Sequence, residues 1–220
     1  MSQSSQHPQV SYLRREYVHG SLSRKQLLEC PVAQFESWLQ QANDDELQDA
    51  TAMTVATVDE RGRPFQRMVL LKGVDERGFV FFTNLGSRKA QQIQNNANVS
   101  LHFAWLPHDR QVIINGQAKA LTSAENMAYF LSRPKASQLA AMASRQSHPI
   151  SARRVLEEKF IELKNKFAKG EIEAPSFWGG FRIEPEQIEF WQGGENRLHD
   201  RFIYQRDDNQ DEWQIERYAP

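Results

Sequence analysis

Residues 52–83 read Ala52-Met53-Thr54-Val55-Ala56-Thr57-Val58-Asp59-Glu60-Arg61-Gly62-Arg63-Pro64-Phe65-Gln66-Arg67-Met68-Val69-Leu70-Leu71-Lys72-Gly73-Val74-Asp75-Glu76-Arg77-Gly78-Phe79-Val80-Phe81-Phe82-Thr83. Three runs rich in β-branched and aromatic residues, at 52–58, 66–72 and 79–83, are separated by Arg61-Gly62-Arg63-Pro64 and Asp75-Glu76-Arg77-Gly78. Such runs fit a pleated surface, and short polar turns join neighbouring strands, so the stretch predicts an antiparallel meander. Further strands are expected at 99–105 and 111–118, around a Pro107-His108-Asp109 turn, and at 177–183, 187–191, 201–205 and 212–217. Helices are expected at 12–19, at 31–42 and at 87–96. Another opens on the capping box Thr122-Ser123-Ala124-Glu125 and is stopped by Pro134. The longest is expected at 151–169, closed by Gly170, with Leu156, Phe160, Leu163 and Phe167 on one stripe facing a core or a subunit interface. Many antiparallel strands with helices inserted among them predict an α+β fold built on a barrel or sandwich.

The totals narrow the function classes. A chain of 220 residues can form one domain with its own core, and its net charge of −1 gives no long-range pull toward nucleic acid or anionic lipid. Any anionic ligand must therefore meet a local cluster of cations. Cys30 is the single cysteine, which excludes an internal disulfide and fits a reducing compartment. Residues 1–10 are polar, read as a disordered tail, and lack the apolar segment of a secretory signal. With no apolar run long enough to span a bilayer, a cytoplasmic protein is expected.

Four constellations are candidates for chemistry. Glu189-Phe190-Trp191-Gln192-Gly193-Gly194-Glu195-Asn196-Arg197-Leu198-His199-Asp200-Arg201 starts as a strand, breaks at the double glycine and restarts. Strand parity would put Arg197, His199 and Arg201 on one face and Leu198 and Asp200 on the other. Three such groups repel unless an anion faces them, although a solvated edge strand carries similar charges. Thr83-Asn84-Leu85-Gly86-Ser87-Arg88-Lys89 ends a strand and starts a helix. Free N–H groups there attract anions, and cations in a first helical turn oppose the helix dipole unless a phosphate offsets them. Arg67 and Lys72 bracket an apolar strand but, five apart, face opposite sides; two snorkelling side chains account for them equally. Tyr129, Arg133 and Ser137 surround Pro134 and make either a phosphate clamp or a helix end with an ordinary arginine.

Several signatures are missing. There is no dinucleotide fingerprint, no Walker loop, no nucleophile elbow and no His-Glu-x-x-His, so no metal is predicted. Arg77-Gly78-Phe79-Val80-Phe81-Phe82 is similar to an RNA-recognition octamer but lacks its small residue and a basic chain, and RNA binding is not expected.

Together the segments resemble the pyridoxine (pyridoxamine) 5′-phosphate oxidase family, FMN enzymes. The likeness runs from Leu13-Arg14-Arg15-Glu16-Tyr17 to Ala219-Pro220. It is most specific at 67–72, 83–89, Arg110-Gln111-Val112, Ser132-Arg133-Pro134, Gln146-Ser147, Ser176-Phe177-Trp178-Gly179-Gly180-Phe181-Arg182 and 189–201. It implies a split β-barrel that dimerises, with FMN in clefts shared by two subunits. Residues 1–20 would form a flexible segment and active-site lid. Residues 21–220 would form one domain, whose region from about 176 to 220 serves dimerisation and substrate.

The resemblance also assigns residues. Arg67, Met68, Val69, Leu70, Lys72, Phe82, Thr83, Arg88 and Lys89 would hold FMN from one side. Gln111, Gln146, Ser147, Trp191 and Arg201 would complete the flavin site from the partner chain. Lys72, Tyr129, Arg133 and Ser137 would grip a substrate phosphate, Arg197 and His199 would meet the pyridine ring, and Arg14 and Tyr17 would close over it. The implied reaction passes a hydride from substrate C4′ to the flavin, and dioxygen reoxidises the flavin to give hydrogen peroxide. Arg197 would orient the ring and stabilise charge, since guanidinium rarely loses its proton. His199 would orient the reacting substituent or relay its proton. Two alternatives stay open: another split-barrel flavoprotein such as a flavin reductase, and a non-enzymatic carrier of pyridoxal phosphate.

Overall fold

The computed structural model describes residues 15–18, 20–144, 146–168, 170, 172–206 and 212–220. Helix α1 (Pro31–Asp44) opens on Pro31, whose fixed φ suits a first helical turn, and buries Val32, Phe35, Trp38 and Ala42 at helical spacing. Strand β1 (Ala52–Val58) alternates burial, with Met53, Val55 and Thr57 inward. Strand β2 (Pro64–Leu70) keeps Phe65, Arg67 and Val69 half-buried on one face and leaves Gln66, Met68 and Leu70 exposed on the other. It stops before Lys72, so strand parity does not govern that residue. Then come β3 (Gly73–Asp75), β4 (Gly78–Asn84), α2 (Arg88–Asn95), β5 (Asn98–Trp105) and β6 (Arg110–Ala120). Three helices follow, α3 (Ser123–Ser132), α4 (Lys135–Ala143) and α5 (Arg153–Lys166), before β7 (Trp178–Gln192), β8 (Asp200–Gln205) and β9 (Gln214–Tyr218).

The strands form one curled antiparallel sheet in the order β2-β1-β5-β6-β7-β4-β3, with β8 and β9 continuing from β7. Strand β7 explains how this sheet splits. On one edge it pairs with β6 from Phe181 to Gln192. On the other it pairs with β4 up to Ile183 and with β8 from Gln187 onward. Pro185 lies in the gap between those two partners, so its missing N–H interrupts neither of their ladders. Opposite it, the β6 register shifts at Asn115/Gly116. A Cβ on Gly116 would sit 2.1 Å from the Glu184 carbonyl oxygen, so the close approach requires glycine. The two strands expected at 177–183 and 187–191 are therefore one.

The main core lies inside the curl. Phe35 of α1 packs edge-on against Phe79 (4.9 Å) and Phe103 (4.8 Å), beside Val55, Leu101, Ile114, Ile188 and Phe190. Each such fully buried side chain contributes about 1.5–3 kcal/mol. A second cluster holds α3, α4 and α5 to the start of β7 through Phe130, Leu139, Leu163, Ile172 and Trp178, with Phe160 and Phe167 of the expected stripe packed against it. Helix α5 is shorter than expected and no longer than α1. Arg15–Val18 have no regular secondary structure, against the helix expected at 12–19. Among the described residues no helix is long and apolar enough to cross a membrane, and no group of His, Cys, Asp or Glu has the arrangement of a metal site.

Candidate active site

Two clusters of the expected residues form at opposite ends of β7. The first lies where β4 ends and α2 begins. Ser87 caps α2, accepting from the Ala90 N–H. Lys89, in the first turn, is buried and donates from Nζ to Thr83 Oγ1 (3.0 Å) and Gln146 Oε1 (2.7 Å). The Arg88 N–H donates to Ser147 Oγ (3.2 Å), and its exposed guanidinium lies over Phe65. Arg67 comes from the inward face of β2 and donates to Thr57 Oγ1 (2.6 Å), the Val55 carbonyl (3.3 Å) and Gln92 Oε1 (3.4 Å). Gln146 and Ser147 thus join the Arg88–Lys89 group within one chain, not across a subunit boundary as expected. Thr57 and Gln92, which brace Arg67, carried no signal in the sequence.

Electrostatics mark this cluster as a place for an anion. No carboxylate pairs with Arg67, Arg88 or Lys89 among the described residues. Burial, with Arg67 nearby, pulls the Lys89 ammonium down to about 8. Burial, with Arg88 nearby, also lowers Arg67. Unpaired cations held together in a partly desolvated site are costly unless a negative group offsets them. A cleft of about 290 Å³ opens beside them, lined in part by Met68, Val69, Phe82, Thr83, Lys89 and Arg133. Met68 is nonetheless largely exposed, and Leu70 partly so.

The far wall of that cleft is aromatic. Phe82 stacks on both Tyr129 (4.0 Å) and Trp178 (5.1 Å), whose rings lie parallel to each other at 6.1 Å. The Arg133 guanidinium lies 5.1 Å over the Trp178 ring, and its Nη1 is buried without a hydrogen-bond partner. Burial lowers Arg133 and raises the Tyr129 hydroxyl, and the two oppose these shifts in each other. Pro134 separates Arg133, at the end of α3, from Ser137 in the first turn of α4. Ser137 is half-buried there and Lys72 is exposed.

The second cluster sits at the other end of β7. Gln111, Trp191, Arg201 and Tyr218 are successive ladder partners across β6, β7, β8 and β9. Gln111 Oε1 lies 3.3 Å from His102 Nε2. Trp191 contacts the His199 ring at 4.6 Å, and Tyr17 meets both edge-on, at 5.7 Å and 5.1 Å. The shared strand face expected for Arg197, His199 and Arg201 does not form. Arg197 ends a short 3-10 turn, Asn196 and Arg197 both take left-handed backbone (φ 52° and 62°), and β8 begins only at Asp200. Leu198 is exposed while Asp200 is buried. The anion facing Arg201 is Glu189, a 2.8 Å pair across the β7–β8 ladder, which holds Arg201 more firmly protonated. Arg197 is exposed and pairs with no carboxylate among the described residues. Arg14 lies outside the described residues, as do positions 207–211 of the acidic turn.

The double glycine has a steric reason. A Cβ on Gly193 would come within 2.5 Å of the Tyr17 ring, and one on Gly194 within 2.3 Å of the Leu198 carbonyl oxygen. The Gly194 N–H donates to His199 Nδ1 at 3.1 Å, so the neutral imidazole carries its proton on Nε2.

A split antiparallel barrel with a cluster of cations lacking carboxylate partners among the described residues at one end and an aromatic–histidine–arginine loop at the other defines a class of split-barrel protein with a site suited to an anion. Comparison with known proteins makes the class specific. The family description "Pyridoxamine 5′-phosphate oxidase" matches residues 39–167, and "Pyridoxine 5′-phosphate oxidase C-terminal dimerisation region" matches residues 178–220. The chain belongs to the pyridoxamine 5′-phosphate oxidase family. It is 65% identical to a pyridoxine/pyridoxamine 5′-phosphate oxidase of Vibrio cholerae serotype O1 (strain M66-2), over 96% of this chain and 99% of that one. Among solved structures, it resembles PhzG from Burkholderia lata 383 in complex with tetrahydrophenazine-1-carboxylic acid: TM-score 0.85, 28% identity, 90% of this chain and 98% of that one. A pyridoxamine 5′-phosphate oxidase-related, FMN-binding protein from Nostoc punctiforme PCC 73102 shares the fold, with TM-score 0.69, 20% identity, and coverage of 89% and 99%.

Proposed function

We propose that this chain oxidises pyridoxine 5′-phosphate or pyridoxamine 5′-phosphate to pyridoxal 5′-phosphate, using FMN and dioxygen and releasing hydrogen peroxide. The observation that carries the reading is the cradle of Arg67, Arg88 and Lys89, preformed and without a carboxylate partner among the described residues. It fits the phosphate of a flavin mononucleotide, with Thr83, Gln146 and Ser147 as additional hydrogen-bonding groups. Bound flavin would supply the two-electron chemistry, which no side chain here provides.

The chain's own residues then bind and orient. Arg133, with its buried unpaired Nη1, takes the substrate phosphate, with Tyr129, Ser137 and Lys72 around it. Arg197 projects from a strained turn, and strain of this kind is kept where surrounding structure and function require it. It steadies charge on the pyridine ring. His199 Nε2–H donates to the ring substituent or to the reacting oxygen or nitrogen. Tyr17 covers His199 and Trp191 and limits access of water.

The two clusters lie at opposite ends of β7, thirteen strand steps apart from Trp178 to Trp191, or up to ~43 Å along the strand at about 3.3 Å per residue. Two copies related by a two-fold axis would bring the cradle of one against Gln111, Trp191, His199 and Arg201 of the other. The match of residues 178–220 to a dimerisation region supports this homodimer. The free Cys30 fits a cytoplasmic enzyme.

The test is direct. Purified protein should be yellow, and adding pyridoxine 5′-phosphate in air should yield peroxide and the aldehyde in equal amounts. A colourless protein that binds pyridoxal phosphate without turnover would overturn the reading in favour of a carrier.

A further inference from the structure

Asp109 has no assigned role and carries no functional signal in the sequence beyond lying in a turn. Its side chain is 1% exposed, and both carboxylate oxygens are engaged by the N-terminal strap. Oδ1 accepts from the Arg15 guanidinium, and Oδ2 accepts the Val18 N–H at 3.0 Å. These two partners bracket Tyr17. The Arg15 guanidinium also donates to the Leu106 carbonyl (2.7 Å) and lies 5.3 Å over the Tyr17 ring. On its backbone side, the Asp109 carbonyl accepts the Gly193 N–H (2.7 Å) and a Gln192 side-chain N–H (3.3 Å). One residue therefore ties together the strap and the glycine loop between which the Tyr17 ring is held.

We propose that Asp109 is a positioning residue for the reaction: it clamps Arg15 and Val18 so that Tyr17 stands over His199 and Trp191. The proposal rests on the functional reading above. Asp109 touches no reacting atom. Its backbone is left-handed (φ 53°, ψ 36°), a conformation that asparagine also tolerates. Asp109→Asn therefore keeps the turn while removing the charge and turning one acceptor into a donor that opposes the Val18 N–H.

The experiment compares wild type, Asp109→Asn, Tyr17→Ala and the double variant, all loaded with flavin. Asp109→Asn should leave flavin content unchanged, raise KM for pyridoxine 5′-phosphate about tenfold, and speed tryptic cleavage after Arg15 by a similar factor as the strap opens. In the Tyr17→Ala background the same change should alter KM by less than about twofold, because coupled residues do not add. A KM effect of equal size in both backgrounds, or unchanged KM and cleavage, would overturn the proposal. Should Asp109→Asn fail to fold, Arg15→Gln removes the clamp from its exposed side and takes the same KM tests, with strap opening read as tryptic cleavage after Arg14, since glutamine removes the site at 15. The cleavage arm needs no turnover: a wild-type chain inert toward the substrate would sink the functional reading and still leave the clamp to be judged.

Discussion

The two ends of β7 are built differently. At the Trp178 end, two neighbouring hydrogen-bonded groups, Lys89 with Thr83 and Gln146 and Arg67 with Thr57 and Gln92, are built on regular elements except for Gln146, which lies in a turn. At the Trp191 end, Arg197 is exposed on left-handed backbone, and Tyr17 is held by ring contacts and a strap. A prebuilt cradle suits a ligand that stays. A loop under a strap suits one that must enter and leave, since segments with few buried contacts open at low cost. The difference predicts that damage at the first end removes cofactor and damage at the second end slows turnover.

The largest effect is expected from Arg88→Ala with Lys89→Ala. Two charge-assisted bonds contribute about 3–6 kcal/mol together, roughly 10²- to 10⁴-fold in affinity. The double variant should fold and lose its colour on dialysis; retention of stoichiometric flavin would remove the cradle from the account. Next is Arg197→Met, which should keep flavin but slow anaerobic flavin reduction by pyridoxine 5′-phosphate about 10²- to 10³-fold, with reoxidation by dioxygen little changed. Normal reduction in stopped-flow traces would make the second cluster structural. Arg133→Leu should raise KM about 10- to 150-fold without loss of flavin. Its melting temperature should not fall, because the substitution removes a buried unpaired donor.

The smallest effect is a pH dependence. Lys89 is pulled down to about 8 in the flavin-free chain, and a bound phosphate must raise it again. Flavin affinity should therefore be level below that pH and fall by up to about tenfold per unit above it, with proton uptake on binding near pH 8 seen by calorimetry. The ordinary lysine value is 10.5, so in the unfolded chain Lys89 still holds its proton between about 8 and 10.5. Over that window the flavin-free protein should gain stability as pH rises. Lys89→Met should abolish both trends.

Most of the secondary structure was legible because burial alternates cleanly, as in β1, or recurs at helical spacing, as in α1. The continuity of β7 was not, since Pro185 reads as a break unless one knows that β7 changes partners there. The helix start at Ser87 and its cations were visible locally. That Gln146 and Ser147 reach it from nearly sixty residues away was not, because tertiary pairing leaves no local pattern. Parity failed at 197–201 because it presumes a strand, and the chain turns at Gly194 and Asn196 instead. Glu189 was in view, but its pairing with Arg201 needed the β7–β8 register.

The central claim is that one working site takes its cradle from one copy and its loop from another. Co-expressing the Arg88→Ala/Lys89→Ala chain with the Arg197→Met chain, each with a different affinity tag, allows mixed dimers to be isolated. In a mixed dimer one site unites the intact cradle of one copy with the intact loop of the other, and the second site carries both defects. The account predicts that flavin-loaded mixed dimers recover about half the wild-type activity per dimer. Activity no higher than that of either parent variant would contradict it.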